Sequence, residues 1–177
     1  MQLESLNYAN KDYFENLYQS AFPPEERIEI AKLYKYYQEG LIDIEIFKKM
    51  DTYLGLAVIY LNDDLHLLSY FAIDPNFRGQ GLGSETLAIL KEKYADLMIE
   101  IESTSSKGAD DYAIRNRRKA FYIRNGYKLL DESINYFGTE MELLSTSKDA
   151  GIDEYFDTYF KIFDKNYIKE NIKHIKD

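Results

Sequence analysis

One short run concentrates the groups that could do chemistry: Ile73-Asp74-Pro75-Asn76-Phe77-Arg78-Gly79-Gln80-Gly81-Leu82-Gly83-Ser84. An apolar strand ends at Ile73, the chain turns through Asp-Pro-Asn, and it enters a helix through three alternate glycines. Glycine permits tight turns and lets a ligand's oxygens come close to the backbone. The first amides of the following helix lack intrahelical partners, and the helix dipole places partial positive charge beside them. Together these features make a cradle for pyrophosphate, and Arg78 adds a full charge at its lip. Alternate glycines also occur in turns that merely join a strand to a helix. Two familiar phosphate loops do not fit: the spacing is Gly79-x-Gly81-x-Gly83 rather than G-x-G-x-x-G, and no Gly-Lys-Ser/Thr is present.

Composition narrows the chemistry further. The 177 residues include no cysteine, which excludes disulfides, thiolate metal sites and covalent thiol catalysis. His66 and His174 are the only histidines, too few for a multi-histidine metal site, so no metal is expected. Carboxylates, hydroxyls, cations and backbone groups must carry any reaction. A formal charge of -9 disfavours nucleic acid and anionic membrane surfaces. It suits a cationic small partner, and it equally suits plain solubility. No apolar run approaches the ~20 residues that span a bilayer, and the N-terminal segment lacks signal-peptide features. A cytoplasmic location is the expectation.

Arg78-Gly79-Gln80-Gly81-Leu82-Gly83 resembles the R/Q-x-x-G-x-G/A loop of the GNAT acetyltransferases, which binds the pyrophosphate of coenzyme A. The surroundings agree. A strand ending Ala72-Ile73-Asp74-Pro75 comes before the loop, and another strand and a helix come after it. That helix ends Ala120-Phe121-Tyr122-Ile123-Arg124-Asn125-Gly126-Tyr127, similar to the family's A-x-x-Y-x-x-x-G-F/Y signature with Ala120 shifted. The resemblance spans about residues 42–145. It implies transfer of acetyl from acetyl-coenzyme A to a primary amine, on a small molecule or a peptide, by direct attack. A catalytically silent coenzyme A-binding module is the alternative.

Residue roles follow from the same resemblance. The strand before the loop pairs with pantetheine in the family, which implicates Phe71, Ala72 and Ile73, with the Ile73 amide a donor to the thioester oxygen. Arg78, Gly79, Gln80, Gly81, Leu82, Gly83 and Ser84 take the pyrophosphate. Tyr122 is implied as the acid for the departing thiolate, since a phenol pKa of about 10 lies near a thiol's. Glu100, in Leu97-Met98-Ile99-Glu100-Ile101, resembles the L-E-V glutamate of N-terminal protein acetyltransferases and is implied as the base. Glu102 shares its strand face and could raise one of the two pKa values; both would read alike if they simply faced solvent. Glu25 and Glu26, after Pro23-Pro24, are a second source of acceptor-side carboxylates. Asn116 is the candidate pantetheine-binding asparagine, one position off the family spacing to Tyr122. Arg115, Arg117, Arg118 and Lys119 either reach the 3′-phosphate or form a solvated helix face.

The elements that must position these groups alternate along the chain, which predicts an α/β (α+β) fold. The expected form is a central mixed, mostly antiparallel sheet, splayed at the acyl-coenzyme A site, flanked by helices and followed by a C-terminal amphipathic helix. Strands are predicted at 2–8, 42–49, 53–61, 65–73, 97–102, 127–131 and 138–144. The apolar run at 65–73 reads as buried on both faces. Helices are predicted from Asn10, as cap, to about Phe22, from Pro24 to Gly40, over 81–95 with Leu82, Thr86, Leu87, Leu90 and Tyr94 inward, and over 112–124. Asn62-Asp63-Asp64 reads as a hairpin turn, and Ser103 to Asp111 as a mobile loop. Residues 1–146 form the catalytic domain and 147–177 a helical extension. Its stripe of Ile152, Phe156, Phe160, Phe163, Tyr167, Ile168 and Ile172 must be covered by the domain or by a second subunit in a homodimer.

Overall fold

Period-two runs of Ile, Val, Leu and Phe build the sheet, and period-3.6 runs build the helices that bury one face each. The computed structural model of the protein describes residues 1–63, 65–105, 108 and 110–175. Asp64 of the predicted turn and Ser106, Lys107 and Ala109 of the predicted loop lie outside the described residues. The chain divides into two compact units, one of residues 1–61 and 68–95, the other of 62–67 and 96–177.

The first unit contains β1 (Gln2–Ser5), α1 (Lys11–Ala21), α2 (Ile30–Gln38), β2 (Ile42–Lys49), β3 (Thr52–Tyr60), β4 (His66–Ile73, from Leu68 on) and α3 (Leu82–Tyr94). Its strand order is β1-β2-β3-β4. β2 runs antiparallel to both β1 and β3, with Ile44 opposite Val58. α3 buries Leu82, Thr86, Leu87, Leu90 and Tyr94, the five positions its periodicity marks. Glu45 is buried mid-strand at 1% exposure, and burying a carboxylate without partners is costly. Lys93 pairs with it and the Tyr94 hydroxyl donates to it at 2.9 Å.

Three local expectations change. Asn10 stands at the start of α1, but its side chain does not cap it. Its Oδ1 accepts from the Asn7 amide at 2.8 Å and its Nδ2 donates to Glu4 and the Ser5 carbonyl, so it staples the preceding loop instead. The helix predicted from Pro24 is a 3-10 turn at Pro24–Glu26, with the α-helix beginning only at Ile30. In β4, Leu68, Tyr70 and Ala72 are buried, but Ser69, Phe71 and Ile73 are only half-buried, so the strand has one fully covered face rather than two.

The second unit has strand order β4-β5-β7-β6-β8. It contains β5 (Leu97–Glu102), α4 (Tyr112–Arg124), β6 (Lys128–Tyr136), β7 (Thr139–Ser145), α5 (Ile152–Ile162), α6 (Lys165–Asn171) and β8 (Ile172–Ile175). β4 enters it through a short parallel register, His66 opposite Leu97 and Leu67 opposite Met98. The remaining pairs are antiparallel. The mixed, mostly antiparallel α/β arrangement expected from the sequence is present. The tail differs from a single helix. Phe163 adopts an extended conformation, and Asp164 opens α6 by accepting from the Tyr167 amide at 2.9 Å. β8 then pairs with β6, Tyr136 opposite Ile172. The inward face also differs: Tyr155, Thr158 and Tyr159 are buried on α5, whereas Phe156 and Phe160 are half-buried and Tyr167 is exposed.

Candidate functional site

The glycine loop is held open by its own backbone. Asp74 Oδ1 accepts from the Asn76 amide at 2.9 Å, and Pro75–Phe77 forms one 3-10 turn. Gly79 and Gly81 then adopt φ of 78° and 77°, the left-handed region that L side chains resist by about 1–2 kcal/mol. A Cβ built on either would meet nothing within 4 Å, so both glycines border open space. Gly81 is the N-cap of α3 and no side chain caps the helix. Its carbonyl accepts from Ser84 at 3.1 Å and Glu85 at 3.2 Å, which leaves the earlier amides without intrahelical acceptors. Leu82 is buried and anchors the turn, while Arg78, Gln80 and Ser84 are exposed. These residues fit an anionic pyrophosphate: open backbone, an uncapped helix start and a cation beside it.

β4 leads into this loop with defined backbone polarity. The Asp74 amide donates to the Leu54 carbonyl of β3 at 2.9 Å. Successive backbone groups on a strand point to opposite edges, so the Ile73 amide and carbonyl point away from β3. Arg78 Nε donates to that Ile73 carbonyl at 3.1 Å. Ala72 faces the other way: its carbonyl lies against Gly55 of β3, where an added Cβ would come within 2.3 Å of the oxygen and 2.8 Å of the Phe47 ring. The backbone of Phe71 and Ile73, not that of Ala72, is therefore turned to the edge of β4 opposite β3. Beside this unit's loop, an open cleft of about 310 Å³ is lined by Tyr13, Asn16, Ser20, Asp74 and Asn76. Glu25 and Glu26 lie in the 3-10 turn, and the Glu26 carbonyl accepts from the buried Tyr70 hydroxyl at 2.7 Å.

The second unit holds the other predicted groups. Tyr122 is buried in the last turn of α4, edge-on to Tyr127 with ring centroids 5.5 Å apart. Gly126 closes the helix with φ of 89°, and the Tyr127 amide donates to the Tyr122 carbonyl at 3.1 Å. Burial pushes the Tyr122 phenol up to about 12, and the Arg118 charge pulls it partly back. Tyr127 has a buried hydroxyl with no hydrogen-bond partner among the described residues.

Glu100 sits half-buried in β5, opposite Leu143 of β7. The Tyr155 hydroxyl donates to its Oε2 at 2.5 Å and the Tyr159 hydroxyl to its Oε1 at 2.8 Å. Burial holds the carboxyl above the usual range, and the two phenols moderate the rise. Glu102 does not join it as a carboxylate pair, because Glu102 pairs with Arg118. The basic cluster is mostly engaged within this unit. Arg115 pairs with Asp111 at 2.8 Å, and Lys119 pairs with Glu142 at 2.9 Å. Arg117 is exposed. Asn116 Nδ2 donates to the Tyr112 carbonyl at 2.8 Å, one turn back on its own helix. Tyr155 and Tyr159 are the site residues that sequence reading missed. The signal was there: a glutamate inside the apolar strand LMIEIE needs buried donors, and the tail offers tyrosines four apart.

The profile of the acetyltransferase (GNAT) domain matches residues 42–129. A protein from Bacteroides thetaiotaomicron assigned to the GNAT family of acetyltransferases is 22% identical, with 92% of this chain and 96% of that one covered and a TM-score of 0.75. An aminoglycoside 6′-N-acetyltransferase complexed with coenzyme A is 15% identical over 82% and 96% of the two chains, with a TM-score of 0.65. A GNAT family acetyltransferase from Elizabethkingia anophelis with acetyl-coenzyme A bound is 19% identical over 82% and 97%, at a TM-score of 0.54. No curated protein sequence matches the chain.

Proposed function

This chain carries a GNAT acetyltransferase domain and has the GNAT fold, and on that ground we propose that it transfers acetyl from acetyl-coenzyme A to a primary amine. The observation that carries the reading is the uncapped start of α3 behind two left-handed glycines that border open space. The amides there and the Arg78 guanidinium would hold the pyrophosphate. The Phe71 and Ile73 backbone, turned away from β3, would align the pantetheine arm, with the Ile73 amide donating to the thioester oxygen where negative charge grows. The thioester supplies the acyl group.

The chain's own residues then manage protons. An ammonium acceptor must lose one before it can attack, and Glu100, held above the ordinary carboxylate range, takes it. Tyr122 keeps its own proton until thiolate charge develops and then donates it, and the second proton that the nitrogen sheds on becoming an amide restores the phenol. Cationic amines suit a chain of net charge -9. An aminoglycoside 6′-N-acetyltransferase among the similar folds supports testing that class alongside polyamines and peptide N-termini.

The test is calorimetric titration with acetyl-coenzyme A, followed by thiol release with kanamycin, spermidine and a short peptide. Micromolar binding that is lost in Gly81→Glu is expected, since that variant adds strain and a negative charge to the cradle. Unchanged affinity in Gly81→Glu would remove the loop from the site. Binding without thiol release for any of these amines would favour a silent binding module.

A further inference from the structure

Among the described residues, the hydrogen bonds to Glu100 come from neutral donors on one helix. Tyr155 and Tyr159 are four residues apart on α5, so both hydroxyls project from one face. They take one carboxylate oxygen each, at 2.5 and 2.8 Å. Both rings are almost fully buried, at 1% and 2% exposure, and their centroids lie 4.9 Å apart. Between them on the helix, the Thr158 hydroxyl donates to the Glu154 carbonyl at 2.9 Å and accepts from Asn62 Nδ2 at 3.1 Å, which anchors the same face of α5. Tyr136 of β6 packs on Tyr159 at 6.3 Å. From β7 the residue opposite is Leu143, and on β5 itself Glu102 is paired with Arg118 of α4. Among the described residues, the groups that hydrogen-bond Glu100 are thus phenols, and none is a cation.

That choice matters chemically. A helix that needed only an anchor would do as well with apolar contacts, because a buried carboxylate is costly to keep. A lysine or arginine partner would orient the carboxylate but hold it far below the range in which it accepts protons. Two phenols orient both oxygens, leave lone pairs free for a further proton, and leave the group able to take one.

We propose that Tyr155 and Tyr159 are positioning residues for Glu100, fixing the direction of its carboxylate and the pH at which it accepts a proton. Its functional consequence rests on Glu100 acting as the base in the reaction proposed above.

The test is a pH titration by carbon NMR of protein labelled at the glutamate side-chain carboxyl, with the Glu100 signal assigned by its loss in Glu100→Gln. Removing a hydroxyl that stabilises the ionised form leaves burial less opposed. Tyr155→Phe and Tyr159→Phe, each keeping its ring, should therefore raise the Glu100 midpoint by about one unit apiece. Because the two variants are measured separately, a folding defect in one leaves the other to decide. A midpoint unmoved in variants that keep the native near-ultraviolet spectrum would overturn the proposal. The titration needs no turnover, so absent acetyl transfer would count against the proposed reaction and leave this result standing.

Discussion

Tyr122, with its phenol raised to about 12 by burial, stays protonated across the whole working range of pH. In the proposed reaction it is therefore protonated when the thiolate departs, and it must regain a proton after each transfer. Replacing Tyr122 with Phe keeps the ring packing on Tyr127 and removes only the hydroxyl. Turnover should fall about 100-fold, the usual size of a single acid's contribution, while calorimetry finds the same affinity for acetyl-coenzyme A. Glu100 has the opposite problem, a charge where burial resists one. Its folded-state proton affinity is raised above the unfolded value. The stability this contributes is therefore fully present below the ordinary carboxylate range and is lost as pH rises through the raised midpoint. Glu100→Gln has no charge to bury. Thermal unfolding should accordingly show its melting temperature gaining on that of the unaltered protein as pH rises above the ordinary carboxylate range; a constant difference would show that the buried charge has no such cost. Glu100 stood out through the resemblance of its strand to the L-E-V segment; the signal for its donors, two tyrosines four apart, was masked by the more apolar Phe156 and Phe160 of the same helix.

Among the elements, β4 depends on a neighbour that has no side chain. Gly55 in β3 has ordinary backbone angles, so its role is not conformational. It makes room for the Ala72 carbonyl, which would lie 2.3 Å from any Cβ placed there. Because the obstructing atom is backbone, Gly55→Ala must push β4 outward just before the loop. Urea unfolding should show a loss of about 1–3 kcal/mol, as for other overpacked sites, with weaker acetyl-coenzyme A binding alongside it. The inward face of α3 was readable residue by residue, since helical period leaves little ambiguity over more than three turns. The single covered face of β4 was not, because a run of apolar residues has no period to report. Asn10 shows a third limit: it stands at the right position for a cap, yet a nearby loop offers its side chain better partners.

The molecule as a whole ties its tail into its second unit. β8 pairs with β6 over Ser133 to Tyr136, Ile168 and Ile172 are buried, and α5 supplies both hydroxyls on Glu100. Ending the chain after Thr146 would strip those contacts and leave a carboxylate half-buried without donors. Circular dichroism should then show a lower melting temperature and lost sheet signal; an unchanged melt would mean that the tail is an accessory. Sequence reading placed an amphipathic tail but could not place its strand, because pairing with β6 depends on residues far away in the chain. Among the described residues, no helix is long and apolar enough to cross a membrane. The separation between Glu100 and its two donors, 55 and 59 residues, has a consequence during synthesis. At roughly 5–20 residues per second the ribosome takes about 3–12 s to deliver Tyr159 after Glu100. Every residue of the first unit has been made by then. Through that interval Glu100 has neither of the hydroxyls that hold it in the folded chain.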